Sequence, residues 1–327
     1  MEWTEIKNRE EWDKIVDDFG GHPLQYWGWG ELKEKNGWKS ERIVFKKGDK
    51  MIGGSQILVK ALPMKQKMFF VPRGPFGSEK SELLKVLAEF AKNKKASFIK
   101  IEPEWHKNNE NEKVLRGAGF KLSNNQVFIP RTAEITLKNL DEHLMNLRKK
   151  TRYHINRSMR DFEIKSIKTT DHKMIDQALQ LYKITAHRAG FKTHPDEYYK
   201  NLAKMMGDHN KIYGAFLDGE MTAFSWNIAS KTTEFALYGG SNETGRKLNA
   251  NYGLKWTMVR NAEARGLKFY DFNGLLHDGL SLFKLHFLLP DSETMRIGTW
   301  DYYPSVSGKL VNSGIVLARK ARRMIKK

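Results

Sequence analysis

The chain carries one pattern of elements twice, offset by roughly 170 residues, and this duplication is its strongest constraint on fold. The first copy runs from Ile43, Val44 and Phe45 through a turn at Gly48-Asp49 into residues 52–59. A strand over 67–71, a helix over 81–94 and a buried strand over 97–102 come next, and segments 114–120 and 126–137 complete the copy. The second copy has strands at 212–217 and 221–229 around a turn at Asp218-Gly219. It continues with a strand at 233–238, a helix over 250–265 and a strand over 268–272. Asp49 maps near Asp218, Leu84 near Leu254 and Ile99 near Phe269. A Gly-Asp or Asp-Gly step between alternating strands signals a tight hairpin, because glycine accepts a positive φ without steric cost. Between the copies a helix is expected over 140–162, capped by Asn139 or Asp141, and a second one over 173–189.

A length of 327 residues suits two cores better than one. Cysteine is absent, which excludes disulfides, thiolate metal sites and cysteine nucleophiles, and no metal or organic cofactor is expected. The charged start MEWTEIKNREEWDK does not read as a signal peptide, and no apolar run approaches the ~18 to 20 residues of a membrane span. The expected location is the cytoplasm, with contact at the inner face of the membrane left open. Lys plus Arg number 57 against 38 Asp plus Glu, a net charge of +19, which draws a protein toward polyanions. Arg148, Lys149, Lys150 and Arg152, with Arg157 and Arg160, fall on the 140–162 helix, and ARKARRMIKK closes the chain. Both runs read either as solvated helix faces or as sites for an anionic partner. No zinc finger or RNA-recognition aromatic signature is present, and DNA is not an expected partner.

The segment GLKFYDFNGLLHDGLSLFKLHF, residues 266–287, places Phe283-Lys284 among apolar neighbours. Burying an ammonium costs several kcal/mol unless it is paired or needed. Lys284 therefore either snorkels along the core or serves chemistry. The YDFNG…FKxxF pattern closely resembles the Fem (FemABX) family of peptidoglycan-bridge aminoacyltransferases, in which the matching Phe-Lys pair lies at the active site. The order of elements in each copy resembles the acetyltransferase (GNAT) fold. The resemblance implies an α/β (α+β) chain of two tandem GNAT-like domains, here without the coiled-coil arm of some members. It places domain 1 at 1–137 plus about 297–327 and domain 2 at 138–296, with the segment around WDYYP returning to the first domain.

The same resemblance implies the activity: transfer of an amino acid from aminoacyl-tRNA to the stem peptide of UDP-MurNAc-pentapeptide or lipid II. In QYWGWGELK it assigns Lys33 to an acceptor phosphate; the other reading is a helix-surface lysine beside a plug of Tyr26, Trp27 and Trp29, and the pattern favours the first. In TAHRAGFKTHPDEYY it assigns Arg188 and Tyr198 to the acceptor's phosphates and sugar, a task suited to arginine's planar fork. Members often carry a further arginine where this chain has His194, and a mostly neutral imidazole binds phosphate less firmly. Tyr238 matches the family aromatic in LYGGS, whose glycine pair either admits a ligand or ends a strand. Lys284 would stabilise charge on the ester oxygen and Phe283 would exclude water. Asp271, Asp278 and Glu102 are candidate bases by position alone.

Two other classes stay open. A CoA-dependent N-acetyltransferase would need a pyrophosphate-cradling loop, and neither 76–80 nor 244–250 has its glycine spacing. A non-catalytic binder of RNA or anionic lipid would need little beyond the charge.

Overall fold

Chain contacts divide the protein into two compact units, residues 1–130 with 295–327 and residues 131–294. The structure, a computed structural model, describes residues 2–276 and 279–325.

The first unit contains β1 (Glu2–Glu5), α1 (Arg9–Asp18), α2 (Trp27–Glu34), β2 (Lys39–Lys47), β3 (Lys50–Ala61), β4 (Lys67–Val71) and β5 (Phe76–Gly77). After α3 (Lys80–Asn93) come β6 (Phe98–Ile101), α4 (Asn109–Gly117) and β7 (Lys121–Leu122). The second unit contains β8 (Arg131–Thr136), α5 (Leu140–Asn146), α6 (Lys149–Asp161), β9 (Glu163–Ile167), α7 (His172–Ala189) and α8 (Asp196–Met206). It continues with β10 (Asn210–Leu217), β11 (Glu220–Ala229), β12 (Thr233–Ser241), α9 (Glu243–Lys247), α10 (Ala250–Ala264), β13 (Phe269–Gly274) and α11 (Gly279–Leu285). The chain then passes through β14 (Thr294–Met295) to β15 (Trp300–Tyr302) and α12 (Val306–Ile325).

The duplication is visible in the sheets. Residues 48–49 close the β2–β3 hairpin and 218–219 close β10–β11, with Gly48 at φ 60° and Asp218 and Gly219 at 51° and 83°. Both hairpins shift register just before the turn, at Phe45/Lys46 and at Ala215/Phe216. In each unit a helix then crosses to a parallel strand, giving β4 beside β6 and β12 beside β13. Leu83, Leu84, Leu87 and Phe90 of α3 are fully buried against Ile43, Phe45, Phe69 and Ile99. Each such side chain contributes about 1.5 to 3 kcal/mol through apolar area removed from water.

The parallel pairing differs between the units. β4 and β6 stay paired to Val71↔Ile101, whereas β12 and β13 pair from Thr233↔Phe269 to Phe235↔Asp271 and then part, although both strands run on. That parting lies next to α11.

Two expectations fail here. The segment placed at the end of the first copy, 126–137, supplies β8, and β8 pairs with β13 in the second sheet. The slot beside β6 goes to β15 from the C-terminal return, so the units divide at 130/131 and 294/295. The expected 140–162 helix is two helices. Leu147 turns extended (φ −65°, ψ 156°) and buries its side chain, while the Arg152 guanidinium donates to the carbonyls of Met145 (2.7 Å) and Leu147 (2.5 Å). Asn139 takes the cap position in a left-handed conformation without a side-chain cap bond. α6 packs closely on α10, because a Cβ at Gly253 would lie 2.6 Å from Ser158 Oγ and 2.8 Å from the Met159 amide nitrogen. Among the described residues no helix is long and apolar enough to cross a membrane.

Candidate active site

The site is clearest where β12 and β13 part. Asn273 adopts a left-handed conformation (φ 70°) and its Nδ2 donates to the Ala236 carbonyl at 3.2 Å, spanning the gap. Its own carbonyl and that of Gly274 thereby face α11, and Lys284 Nζ donates to them at 3.3 and 2.8 Å. The ammonium is partly buried and anchored on backbone. Phe283, its neighbour, lies edge-on to Tyr252 and Phe287, with ring centroids 5.1 and 5.2 Å away. Asp271 is fully buried, and its Oδ1 accepts from Thr132 Oγ1 (2.5 Å) and the Asn273 amide (2.7 Å). Asp271 thus fixes the turn that presents the two carbonyls, which argues against its role as a base. Asp278 lies outside the described residues. Glu102 belongs to the first unit, where it accepts from Thr299 Oγ1 (2.6 Å) and the Phe128 amide (2.9 Å).

One group that the sequence reading missed stands beside Lys284. Lys255 Nζ donates to Ser225 Oγ at 2.6 Å. Burial, followed by the Lys284 charge, pulls Lys255 down to about 7 against the opposing pull of Glu234. A polar chain runs on from it: Ser225 donates to Asn227 Oδ1 (3.1 Å), and Asn227 Nδ2 donates to Glu234 (2.7 Å) and to the Tyr270 hydroxyl (2.8 Å). Arg265 closes the chain on the other oxygen of Glu234. α10 was the available signal. Its positions 250, 252–254, 256, 258, 259 and 262 are all buried, which leaves little solvent face for a lysine among them.

A second group of expected residues gathers over the end of β12. Arg188 Nη1 donates to the Ser241 carbonyl (3.2 Å), and His194 stacks on Tyr198 at 4.0 Å and 20°. Tyr198 is hydrogen-bonded to Tyr238, whose ring lies 5.4 Å from Tyr182 and 5.1 Å from Tyr199. Burial pushes Tyr198 up to about 12 and also raises Tyr182 and Tyr238, so these phenols stay neutral and can donate. Tyr182 and Tyr199 went unnoticed in the sequence because α7 and α8 come together only in the fold. The glycine pair has a packing role. A Cβ at Gly240 would lie 2.8 Å from the Leu181 carbonyl and from Thr185 Oγ1, so α7 packs against the strand at this glycine.

Arg148, Lys149 and Lys150 are exposed at the N-terminal end of α6, whereas Arg152 is committed to the α5 carbonyls. Cations at a helix N-terminus oppose the macrodipole, so helix stability does not account for them. Lys33 is in the first unit, with its Nζ 4.3 Å from the centroid of the Trp29 ring and its affinity for a proton lowered to about 8 by burial. Among the described residues no group of three His, Asp or Glu side chains is placed to hold a metal ion.

Residues 8–221 and 220–305 match the FemAB family. The chain belongs to the FemAB family.

The lipid II:glycine glycyltransferase of Staphylococcus aureus (strain MRSA252) is 24% identical, over 92% of this chain and 89% of the relative. Among solved structures, FemX superposes with a TM-score of 0.81 at 22% identity, covering 93% of this chain and 97% of FemX. A tandem GNAT protein from the clavulanic acid biosynthesis pathway gives 0.54 at 11% identity, covering 93% and 98%. Both units are therefore GNAT-like, and the chain is an acyltransferase of this family. His194 stacks on Tyr198, and the Arg188 guanidinium is held on the Ser241 carbonyl.

The first unit contains its own buried charge cluster. Arg73 Nη1 donates to Glu104 Oε1 (2.7 Å), and Arg296 Nη1 donates to the Glu104 carbonyl (3.0 Å). Burial would raise Glu104, but Arg73, His22 and Arg296 together hold it down at about 2. Burial lowers His22 to about 3, aided by Arg73 and Arg296 against Glu104. Both native values lie below the unfolded ones, so the unfolded chain takes up protons first as pH falls. The unit is expected to lose stability below the ordinary histidine value of 6.5 and to continue losing it toward pH 2. The slope is about 1.4 kcal/mol per pH unit per differentially bound proton. Urea titrations between pH 7 and 4 read this, and His22→Gln should flatten the part of the slope above pH 4.5. An equal slope in His22→Gln would remove His22 from the account.

Proposed function

We propose that the protein is a tRNA-dependent aminoacyltransferase that adds an amino acid to the stem peptide of a peptidoglycan precursor, UDP-MurNAc-pentapeptide or lipid II. The observation that carries this is the Lys284 ammonium, anchored on the Asn273 and Gly274 carbonyls where β12 and β13 part. The glycyltransferase activity named for the Staphylococcus relative supports the same reading.

An aminoacyl ester is already activated. The enzyme must align an amine with the ester carbon and stabilise the negative oxygen that forms during attack. A partly desolvated ammonium suits the second task, because its charge is worth more at low dielectric. Phe283, packed on Tyr252 and Phe287, keeps water from the approach to Lys284. Arg188, His194, Tyr198 and Tyr238 are assigned to the acceptor's phosphates and sugar; Lys33 is assigned to a phosphate. The CoA alternative is weakened by the loop before α10. The Gly245 amide donates to Asn242 Oδ1 (2.8 Å), and those of Arg246, Leu248 and Asn249 donate to nearby carbonyls. Amides already used in this way cannot cradle a pyrophosphate.

The test is incubation of the pure protein with a pool of charged tRNAs and each acceptor in turn. Transfer of labelled amino acid supports the reading; acetyl transfer from CoA with no aminoacyl transfer sinks it.

Arg148, Lys149 and Lys150 are assigned to the tRNA backbone. Replacing all three by glutamine should reduce the log–log salt dependence of tRNA binding by about 2 to 3, near one unit per lost phosphate contact. Filter binding between low and physiological salt measures it, and an unchanged slope would return these cations to solvent. The C-terminal cations, residues 318–327, lie beyond the described side chains. α12 exposes Val306, Leu310 and Leu317, an apolar edge that suits peripheral contact with an anionic membrane surface.

A further inference from the structure

We propose that Lys255 is the proton acceptor of the transfer reaction, taking the proton that the attacking amine sheds as it bonds to the ester carbon. This inference rests on the aminoacyl-transfer reading and names a group that this reading lacked.

An amine cannot complete its attack while it keeps its proton, and among the described residues the two carboxylates considered from sequence, Asp271 and Glu102, do not serve. Asp271 is committed to the β13 turn, and Glu102 sits among the first unit's own hydrogen bonds. Lys255 has the placement and the chemistry. It projects from α10 onto β11, where Ser225 Oγ accepts from it at 2.6 Å, and Ser225 pairs in register with Gly239 of β12, the strand that leads away from β13. The groups that act on its ammonium come from three elements. From α11 Lys284 repels it, from β12 Glu234 attracts it, and from β11 Ser225 holds it. Arg265 pairs with Glu234, and the pull of this carboxylate on Lys255 is outweighed by burial and by the Lys284 charge. Burial and the neighbouring cation leave much of Lys255 as the free amine near neutrality. That is the form a base requires, near the pH where it is most effective.

The step balances within the substrates and this residue. The nitrogen–carbon bond forms and the ester carbon–oxygen bond breaks. The proton leaves the amine for Lys255 Nζ and passes from there to the departing ribose oxygen. Lys284 stays charged throughout and stabilises the intermediate oxygen. The two lysines thus divide the labour: the cation on backbone carbonyls remains an ammonium, and the buried one alternates.

The experiment is the pH dependence of the single-turnover rate for the wild type, Lys255→Met, Lys255→Arg and Lys284→Met. Wild-type rates should fall on the acid side with a midpoint near 7. Lys255→Met should lose about 10²- to 10⁴-fold and lose that limb, and Lys255→Arg should not rescue it, because a guanidinium keeps its proton. In Lys284→Met the residual activity should show its acid limb at higher pH, because the repelling charge has gone. This last variant leaves Lys255 intact and carries the test even where substitutions at 255 do not fold. Rescue by arginine, an unchanged limb in Lys255→Met, or a limb that stays in place in Lys284→Met each overturns the proposal and leaves the aminoacyl-transfer reading standing. No transfer by the wild type overturns both.

Discussion

Replacing Lys284 by methionine is expected to slow single-turnover transfer by about 10²- to 10³-fold, the usual cost of one group that stabilises a developing oxyanion. The acceptor's KM should change little, because Arg188, Tyr198 and Tyr238, the residues assigned to the acceptor, lie on α7, α8 and β12, whereas Lys284 lies on α11. Methionine nearly matches the aliphatic stem, so the contacts of Phe283 with Tyr252 and Phe287 should survive. The losses include a charge and the hydrogen bonds to the Asn273 and Gly274 carbonyls. Wild-type turnover in the variant would mean that Lys284 holds the β13 turn and nothing more. A rise in KM at constant kcat would make it a binding residue.

The second large effect is on stability. Asp301 of β15 receives Lys100 Nζ at 2.5 Å, and both side chains are almost fully buried. Ser123 Oγ (2.8 Å), Tyr303 OH (3.0 Å) and Asn312 Nδ2 (3.1 Å) also donate to it, so one carboxylate joins β6, β15 and α12. Asp301→Ala strands a buried ammonium and should cost about 3 to 5 kcal/mol. The corresponding fall in Tm is roughly 10 °C for a unit of this size. Adding Lys100→Met removes the stranded charge and should recover much of the loss. Thermal melts of the wild type, the single variant and the double variant decide it. An Asp301→Ala variant that melts with the wild type would show that the C-terminal return does not depend on this ion pair.

What could be read from sequence followed the range of the interactions involved. The hairpins at 48–49 and 218–219 and the strand Lys67–Val71 were legible because alternation and turn residues act within a few positions. Lys284 was legible as a charge in an apolar frame, and the family resemblance gave it a task. The strand at 131–136 was assigned to the wrong unit because its alternation says nothing about which partner it joins, and β13 is more than a hundred residues away. The break between α5 and α6 depends on a side chain reaching back to two carbonyls, which no periodicity records. Lys255 was not legible because its surroundings form only when α10 packs on β11 and almost every position of the helix is covered. Tyr182 and Tyr199 belong to a cluster assembled from three elements, and Gly240 is small because α7 crosses it.

The central claim is that this chain moves an aminoacyl group from tRNA to a muropeptide amine through the site at Lys284. It is tested most directly by a single-turnover reaction of wild type and Lys284→Met with charged tRNA and precursor, read by mass spectrometry of the precursor. The expected result is a precursor heavier by one amino-acid residue in the wild type and nearly unmodified precursor in the variant over the same interval. Equal product in both, or none in either with every charged tRNA supplied, would contradict the claim.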